Sequence, residues 1–275
     1  MPSPTNLWPD DSDRFPYSCE HLGDQAPGFS SRNLVVACAG IPASTPPDIA
    51  ALPSSGGITR RQTLTLFFDG SHMKLYYFPG ACPLATHIVL EWIGKPYETE
   101  RLTPEQTKEP AYLALNPTGA VPTLVDGDFV LTQSAAILDY LGELHPEAKL
   151  VGDTPRARAE TRRWLSMCNS DIHRTFGLLF AAPYFSGGDE AAGKVLAAKA
   201  AEKIKSFFVI ANHQLKGRDW LTGQRSLADP YLFVLLMWAD AKQIALPGME
   251  DLRRFQKRMQ ADPGVQAALK AQGLV

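Results

Sequence analysis

The chain has 275 residues, 45% hydrophobic and 20% charged, with a formal net charge of −2 at pH 7. That length accommodates one or two domains, and the near-neutral balance argues against a nucleic-acid binder, whose domains carry a marked basic excess. The richest apolar window, Tyr231 to Ala239, falls far short of the roughly 18 residues of a membrane span, and the four cysteines (Cys19, Cys38, Cys82, Cys168) lack metal-ligand or CxxC spacing, which fits unpaired thiols in a reducing, cytoplasmic compartment.

Residues 1–72 are rich in Pro, Ser, Gly and Asp, with apolar islands only at Val35 to Ala39 and Leu64 to Phe68. They read as a disordered or non-native leader, with Met73 the expected natural start. Gly70-Ser71-His72-Met73 resembles a tag scar, but no protease site precedes it. Asp10, Asp11, Asp13, Glu20 and Asp24 make a transit peptide too acidic, and no basic and long apolar segments open the chain as a secretory signal would.

From Met73 the pattern becomes regular. Leu75 to Phe78 is a short strand-like run broken by Pro79-Gly80, and Cys82-Pro83 opens an amphipathic run through Trp92. Proline suits the first helical position, where its missing N–H has no intrahelical partner. A cysteine at a helix start meets free N–H groups and the positive end of the helix dipole, which predicts a lowered thiol pKa. A second strand is expected near Tyr97 to Leu102, and a weaker helix over Glu105 to Leu115, stopped by Asn116-Pro117. Thr123 to Val125 and Phe129 to Leu131 flank Asp126-Gly127, a hairpin signal. Gln133-Ser134 then opens a helix that His145-Pro146 ends.

After a linker the pattern is helical: about Arg156 to Phe180, Glu190 to His213, Leu227 to Ile244, and shorter pieces to the end. Ser226 and Asp229 have the spacing of a capping box, in which Ser226 accepts from the N–H three residues on and Asp229 reaches back. Pro230 disfavours helical geometry at Asp229. The domains expected are 73–149, α/β, and 156–275, all-helical.

Three separated motifs, YYFPGACPLA, NPTGAVPTLVDGDFVLTQSAAILDYL and GQRSLADPYLFVLLMWA, resemble the cytosolic glutathione S-transferases, most closely the bacterial beta class. The resemblance implies an α/β thioredoxin-like N-terminal domain followed by an all-α C-terminal helical bundle. It implies an enzyme that conjugates glutathione to hydrophobic electrophiles, with thiol–disulfide exchange or peroxide reduction through Cys82 as a second activity. Glutathione is then a co-substrate; no other cofactor and no metal is expected. A homodimer with no nucleic-acid or membrane partner is expected. The rival from another class is a non-catalytic binder of glutathione or apolar ligands.

The same resemblance distributes roles. Cys82 faces the glutathione sulfur, followed here by Pro83 where serine is usual. His173 joins it as a catalytic residue, and Arg174 stands where the class has lysine and can grip a carboxylate bidentately. Val121-Pro122 is expected to be cis, so that Val121 pairs its main chain with the cysteinyl segment of glutathione by strand addition. Ser134 and the helix start suit the γ-glutamyl carboxylate, and Gln133, in place of the usual glutamate, suits its amine. Lys108 is aligned with a lysine for the glycine carboxylate, over a loop shorter than usual. Tyr77 reads first as a core aromatic, with a glutathione contact as the alternative. Phe78, Phe176, Phe180 and Tyr184 are expected among the walls of the electrophile pocket.

Overall fold

A computed structural model describes residues 73–275, so the expectations for residues 1–72, including Cys19 and Cys38, lie outside the described residues. Strand β1 (Met73–Tyr77) buries Met73, Leu75 and Tyr77 and leaves Lys74 and Tyr76 half-buried, the two-residue alternation of a pleated strand. It lies inside a four-stranded mixed sheet of order β2-β1-β3-β4. Strand β2 (Glu98–Arg101) runs parallel to β1, while β3 (Thr123–Asp126) and β4 (Phe129–Thr132) complete antiparallel pairs. The parallel step requires a crossover, supplied by helix α1 (Pro83–Ile93) and closed by Gly94 in the left-handed conformation.

Local chemistry accounts for two departures from expectation. The helix expected over Glu105 to Leu115 is split into a 3-10 turn, Gln106–Lys108, and helix α2 (Pro110–Leu115). Glu109 between them is extended (φ −71°, ψ 143°), because a residue before proline is pushed out of the helical region. In the hairpin, Asp126 pairs with Phe129, so the two turn residues are Gly127 and Asp128. Gly127 takes φ 61° at the first turn position, where a two-residue hairpin needs positive φ.

Helix α3 (Ser134–Leu144) packs on α1, and a short 3-10 turn, Pro146–Ala148, leads to the helical half. Helix α4 (Pro155–Ser166) is capped by Thr154, whose hydroxyl accepts from the Ala157 N–H at 3.1 Å. The helix expected to run on to Phe180 does continue, but through a seven-residue π-helical segment, Met167–His173, before α5 (Arg174–Phe180). Helices α6 (Ala182–Phe185), α7 (Glu190–Gln214), α8 (Ala228–Ala241), α9 (Glu250–Ala261) and α10 (Pro263–Ala271) follow; the short α6 is not foreshadowed by periodicity. Among the described residues no helix is long and apolar enough to cross a membrane.

The two halves pack through α1, which lies against α8 and α10 as well as β1 and α3. This explains why Leu84, Ala85, Ile88 and Val89 are all fully buried: α1 is covered on several sides. Helix α8 is similarly enclosed, with every residue from Ala228 to Leu236 buried. At its start the expected capping box is only half formed. The fully buried Asp229 carboxylate accepts from Ser226 N–H at 2.7 Å and from Leu221 N–H at 2.9 Å. The Ser226 hydroxyl donates to the same carboxylate at 2.7 Å rather than accepting from a backbone N–H, because a buried carboxylate is the stronger acceptor. Pro230 sits at the third position of α8, where no intrahelical N–H is needed; Asp229 is helical after all.

Candidate active site

Cys82 stands at the N-cap position of α1 with helical backbone angles, and its side chain makes no capping bond. Its Sγ donates to the Val121 carbonyl at 3.6 Å, a weak bond of the kind thiols make. The residue is 7% exposed, and burial pushes the thiol up to about 11, against smaller opposing contributions from the Ser134 hydroxyl and its own backbone. The lowered pKa expected from the helix start is therefore overturned. Desolvation of the thiolate outweighs the helix dipole here, and the free protein holds Cys82 as a neutral hydrogen-bond donor at pH 7.

The loop opposite is held by its own side chains. Asn116 donates to the Ala120 carbonyl at 2.7 Å and accepts from the Thr118 hydroxyl at 2.7 Å. Tyr112 donates to the same carbonyl at 2.6 Å. This lattice delivers Val121 and a cis Val121-Pro122 bond, as expected, to the cavity beside Cys82. Next comes Gln133, a non-glycine residue at φ 74°, ψ 115°. Such backbone costs about 1–3 kcal/mol and collects at functional sites. Ser134 follows, 3% exposed, as the first residue of α3. The first N–H groups of a helix lack intrahelical acceptors, so this corner of the cavity suits an anion.

The helical half contributes from the π segment. Asn169 and His173, four residues apart, line the cavity. His173 Nδ1 lies 2.7 Å from the Tyr231 hydroxyl, which donates to Asn169 Oδ1 at 3.0 Å. A phenol has one proton. Since it goes to Asn169, His173 must donate through Nδ1–H, which leaves Nε2 as a lone-pair acceptor. Burial lowers the His173 pKa, so the imidazole is neutral at pH 7. Burial, then the neighbouring Cys82, raise Tyr231 well above the usual phenol range. The His173 ring also packs edge-on against Trp238, centroids 4.9 Å apart.

The resulting cavity has a volume of about 250 Å³ and brings together Cys82, Val121, Pro122, Gln133, Ser134 and His173, with Asn116, Thr118, Ala120 and Asn169 completing its lining. Three expected residues lie elsewhere. Tyr77 is 5% exposed on the core face of β1, its ring centroid 5.9 Å from that of His87; the alternation that buries Leu75 buries it too. Lys108 is exposed on the 3-10 turn, outside the lining. Arg174 follows His173 but is exposed and outside the lining, since one residue along a helix turns the side chain about 100° away. Of the expected pocket walls, Phe176 is fully buried between Phe180, Phe208 and Trp238, whereas Tyr184 is 82% exposed.

Sequence reasoning missed Asn169, Tyr231, Asn116 and Thr118. The spacing of Asn169 to His173 puts both on one helix face and is a legible signal. Tyr231 carries none: it stands in an apolar run 58 residues from His173.

Residues 71–143 match the family model for the glutathione S-transferase N-terminal domain, and residues 170–263 that for the C-terminal domain. Glutathione S-transferase GST-4.5 of Xanthomonas campestris pv. campestris is 44% identical over 204 residues, 74% of this chain and 100% of that protein. Among solved structures, a glutathione S-transferase from Xylella fastidiosa is 46% identical, with a TM-score of 0.71, over 74% of this chain and all of that one. The bacterial beta class enzyme of Sphingomonas chungbukensis is 32% identical, and a sphingomonad enzyme complexed with glutathione is 33% identical. Each has a TM-score of 0.65 and covers 74% of this chain and 100% of its own. With a mixed thioredoxin-like sheet, a helical second half and relatives matched along their whole length, this chain belongs to the glutathione S-transferase family.

Proposed function

We propose that the protein conjugates glutathione to apolar electrophiles, with Cys82 and His173 acting on the glutathione sulfur, and that Cys82 also carries a slower glutathione-dependent disulfide exchange. The observation that carries this reading is the meeting, in one cavity, of a neutral thiol donor, a neutral imidazole and a helix start. Family membership supports glutathione as the co-substrate.

The γ-glutamyl carboxylate sits at the start of α3, on the free N–H groups and the Ser134 hydroxyl. Gln133 faces the amine, and the cysteinyl main chain pairs with Val121. The glutathione thiol then lies between Cys82 Sγ and His173 Nε2. His173 accepts the thiol proton, and Cys82 turns its S–H from the Val121 carbonyl to the sulfur anion. That anion attacks the electrophilic carbon, forming a thioether as the leaving group departs with its electron pair. Lys108 and Arg174 reach glutathione only from outside the lining, so their share is screened and small. The chain works as a homodimer, and the exposed Phe129 and Val130 of the outer strand β4 offer apolar surface for a partner.

In exchange, the Cys82 thiolate displaces one sulfur of a glutathione mixed disulfide, becomes glutathionylated, and is released by a second glutathione as glutathione disulfide. A thiol held near 11 supplies little thiolate at pH 7, so this reaction is the slower one and rises with pH.

Cys82→Ala tests both roles. Exchange should fall to background, while conjugation should fall only about fivefold, the worth of one hydrogen bond near 1 kcal/mol. Wild-type protein retained on immobilised glutathione but lacking both activities would instead establish the non-catalytic binder.

A further inference from the structure

The turn before Cys82 is gripped from the helical half at both polar groups of one peptide residue. Gly80, at φ 71°, donates its N–H to Gln272 Oε1 at 3.0 Å and accepts at its carbonyl from Trp238 Nε1 at 2.8 Å. These partners are 192 and 158 residues away in sequence. The left-handed backbone turns both groups toward the helical half, and a Cβ at Gly80 would stand 3.7 Å from Leu274.

Each partner is anchored again. Gln272 is 3% exposed, and its Nε2 meets Nδ1 of the buried His87 at 3.1 Å. Because its Oε1 serves Gly80, its amide donates to His87, which is therefore protonated on Nε2. One side chain just past the end of α10 thus ties the turn before Cys82 to the body of α1. Trp238 meanwhile packs its ring on His173, so one indole touches the turn that leads to Cys82 and the imidazole across the cavity.

We propose that Trp238 and Gln272 are positioning residues that set the place of the Cys82 sulfur relative to His173. This rests on the proposed roles of Cys82 and His173. A single residue, Ala81, separates Gly80 from the sulfur-bearing residue, and it closes its own turn through its N–H to the Phe78 carbonyl at 3.2 Å. With both Gly80 bonds made, the turn cannot swing without breaking a hydrogen bond to the helical half, and the thiol stays in its buried pose.

The test uses the full chain and reads Cys82 alkylation by iodoacetamide, located by peptide mapping, beside conjugation kinetics with chlorodinitrobenzene. Trp238→Phe keeps an aromatic ring and removes the N–H donor with part of the indole, the same loss that the Trp92→Phe control makes; Gln272→Ala removes both of its bonds. Each should speed Cys82 alkylation and lower kcat by about three- to tenfold, the worth of one hydrogen bond, while the KM for glutathione moves less than about twofold. Gln272→Glu keeps an acceptor for Gly80 N–H but loses the donor to His87 Nδ1, so its alkylation rate should fall between those of wild type and Gln272→Ala. Trp92→Phe is the matched control, because its Nε1 donates to Asp262 at 2.7 Å and so joins the halves away from the turn; it should move neither readout. Unchanged alkylation in both Trp238→Phe and Gln272→Ala would overturn the proposal, and so would an equal rise in Trp92→Phe. If wild type proves inactive, the transferase reading fails, but the alkylation series still decides whether the turn is held.

Discussion

On the thioredoxin-like side of the cavity, backbone predominates: the Val121 main chain before a cis proline, the strained Gln133 and the N–H groups opening α3. On the helical side it is side chain: Asn169 and His173, supported by Tyr231 and Trp238. Main-chain groups recognise any peptide of the right shape and tolerate substitution at the residues that bear them. A side-chain relay has one proton per link and fails when a link is removed. Binding should therefore be robust to mutation on one side, while chemistry should be fragile on the other.

The largest effect is expected where the helical side is anchored. Asp229→Ala leaves three donors, Ser226 N–H, Ser226 Oγ–H and Leu221 N–H, without their buried acceptor. It should cost about 3–5 kcal/mol in urea denaturation. The wild-type carboxyl also has a pH signature, because burial raises it from 3.8 to about 6. The folded state holds this proton more tightly than the unfolded state, so the contribution is full below pH 3.8 and is lost as pH rises toward 6. Asp229→Asn should remove that slope, worth about 3 kcal/mol; an unchanged slope would show that other groups produce it.

Next in size is His173. His173→Ala should lower conjugation about 100-fold, the usual scale of a lost general base. In wild type, kcat/KM should fall as pH drops through the lowered His173 pKa, because protonation fills the Nε2 lone pair. The same acid limb surviving in His173→Ala would assign it to another group. The smallest effect is expected on the main-chain side: Val121→Ala should change glutathione affinity less than about twofold by calorimetry, since the pairing groups remain. A tenfold loss there would mean that the valine side chain, not its backbone, makes the contact.

The parts of the site legible in sequence are those made by neighbours in the chain. Pro79-Gly80 followed by Cys82-Pro83 marks a strand, turn and helix start by local sterics, and the turn after Asp126 is set by Gly127. The split at Glu109 was there to be read, because the proline that forces it is adjacent. The π segment was not: periodicity detects that a helix continues, but not an extra residue absorbed within one turn. Motif position points to Lys108 and Arg174, yet neither lines the cavity, because motif position does not set side-chain direction across a shortened loop or around a helix.

Sequence alone determined the order of the four strands and of the longer helices, the position of Cys82 at a helix start and the family resemblance, because turn sterics and two- and 3.6-residue periods act over a few neighbouring residues. Tertiary structure alone decided the protonation of that thiol, the tautomer of His173 and the grip on Gly80. Each depends on how far water is excluded and on partners as distant in sequence as Tyr231, Trp238 and Gln272. Desolvation and long-range hydrogen bonding come into being only when the two halves pack around α1.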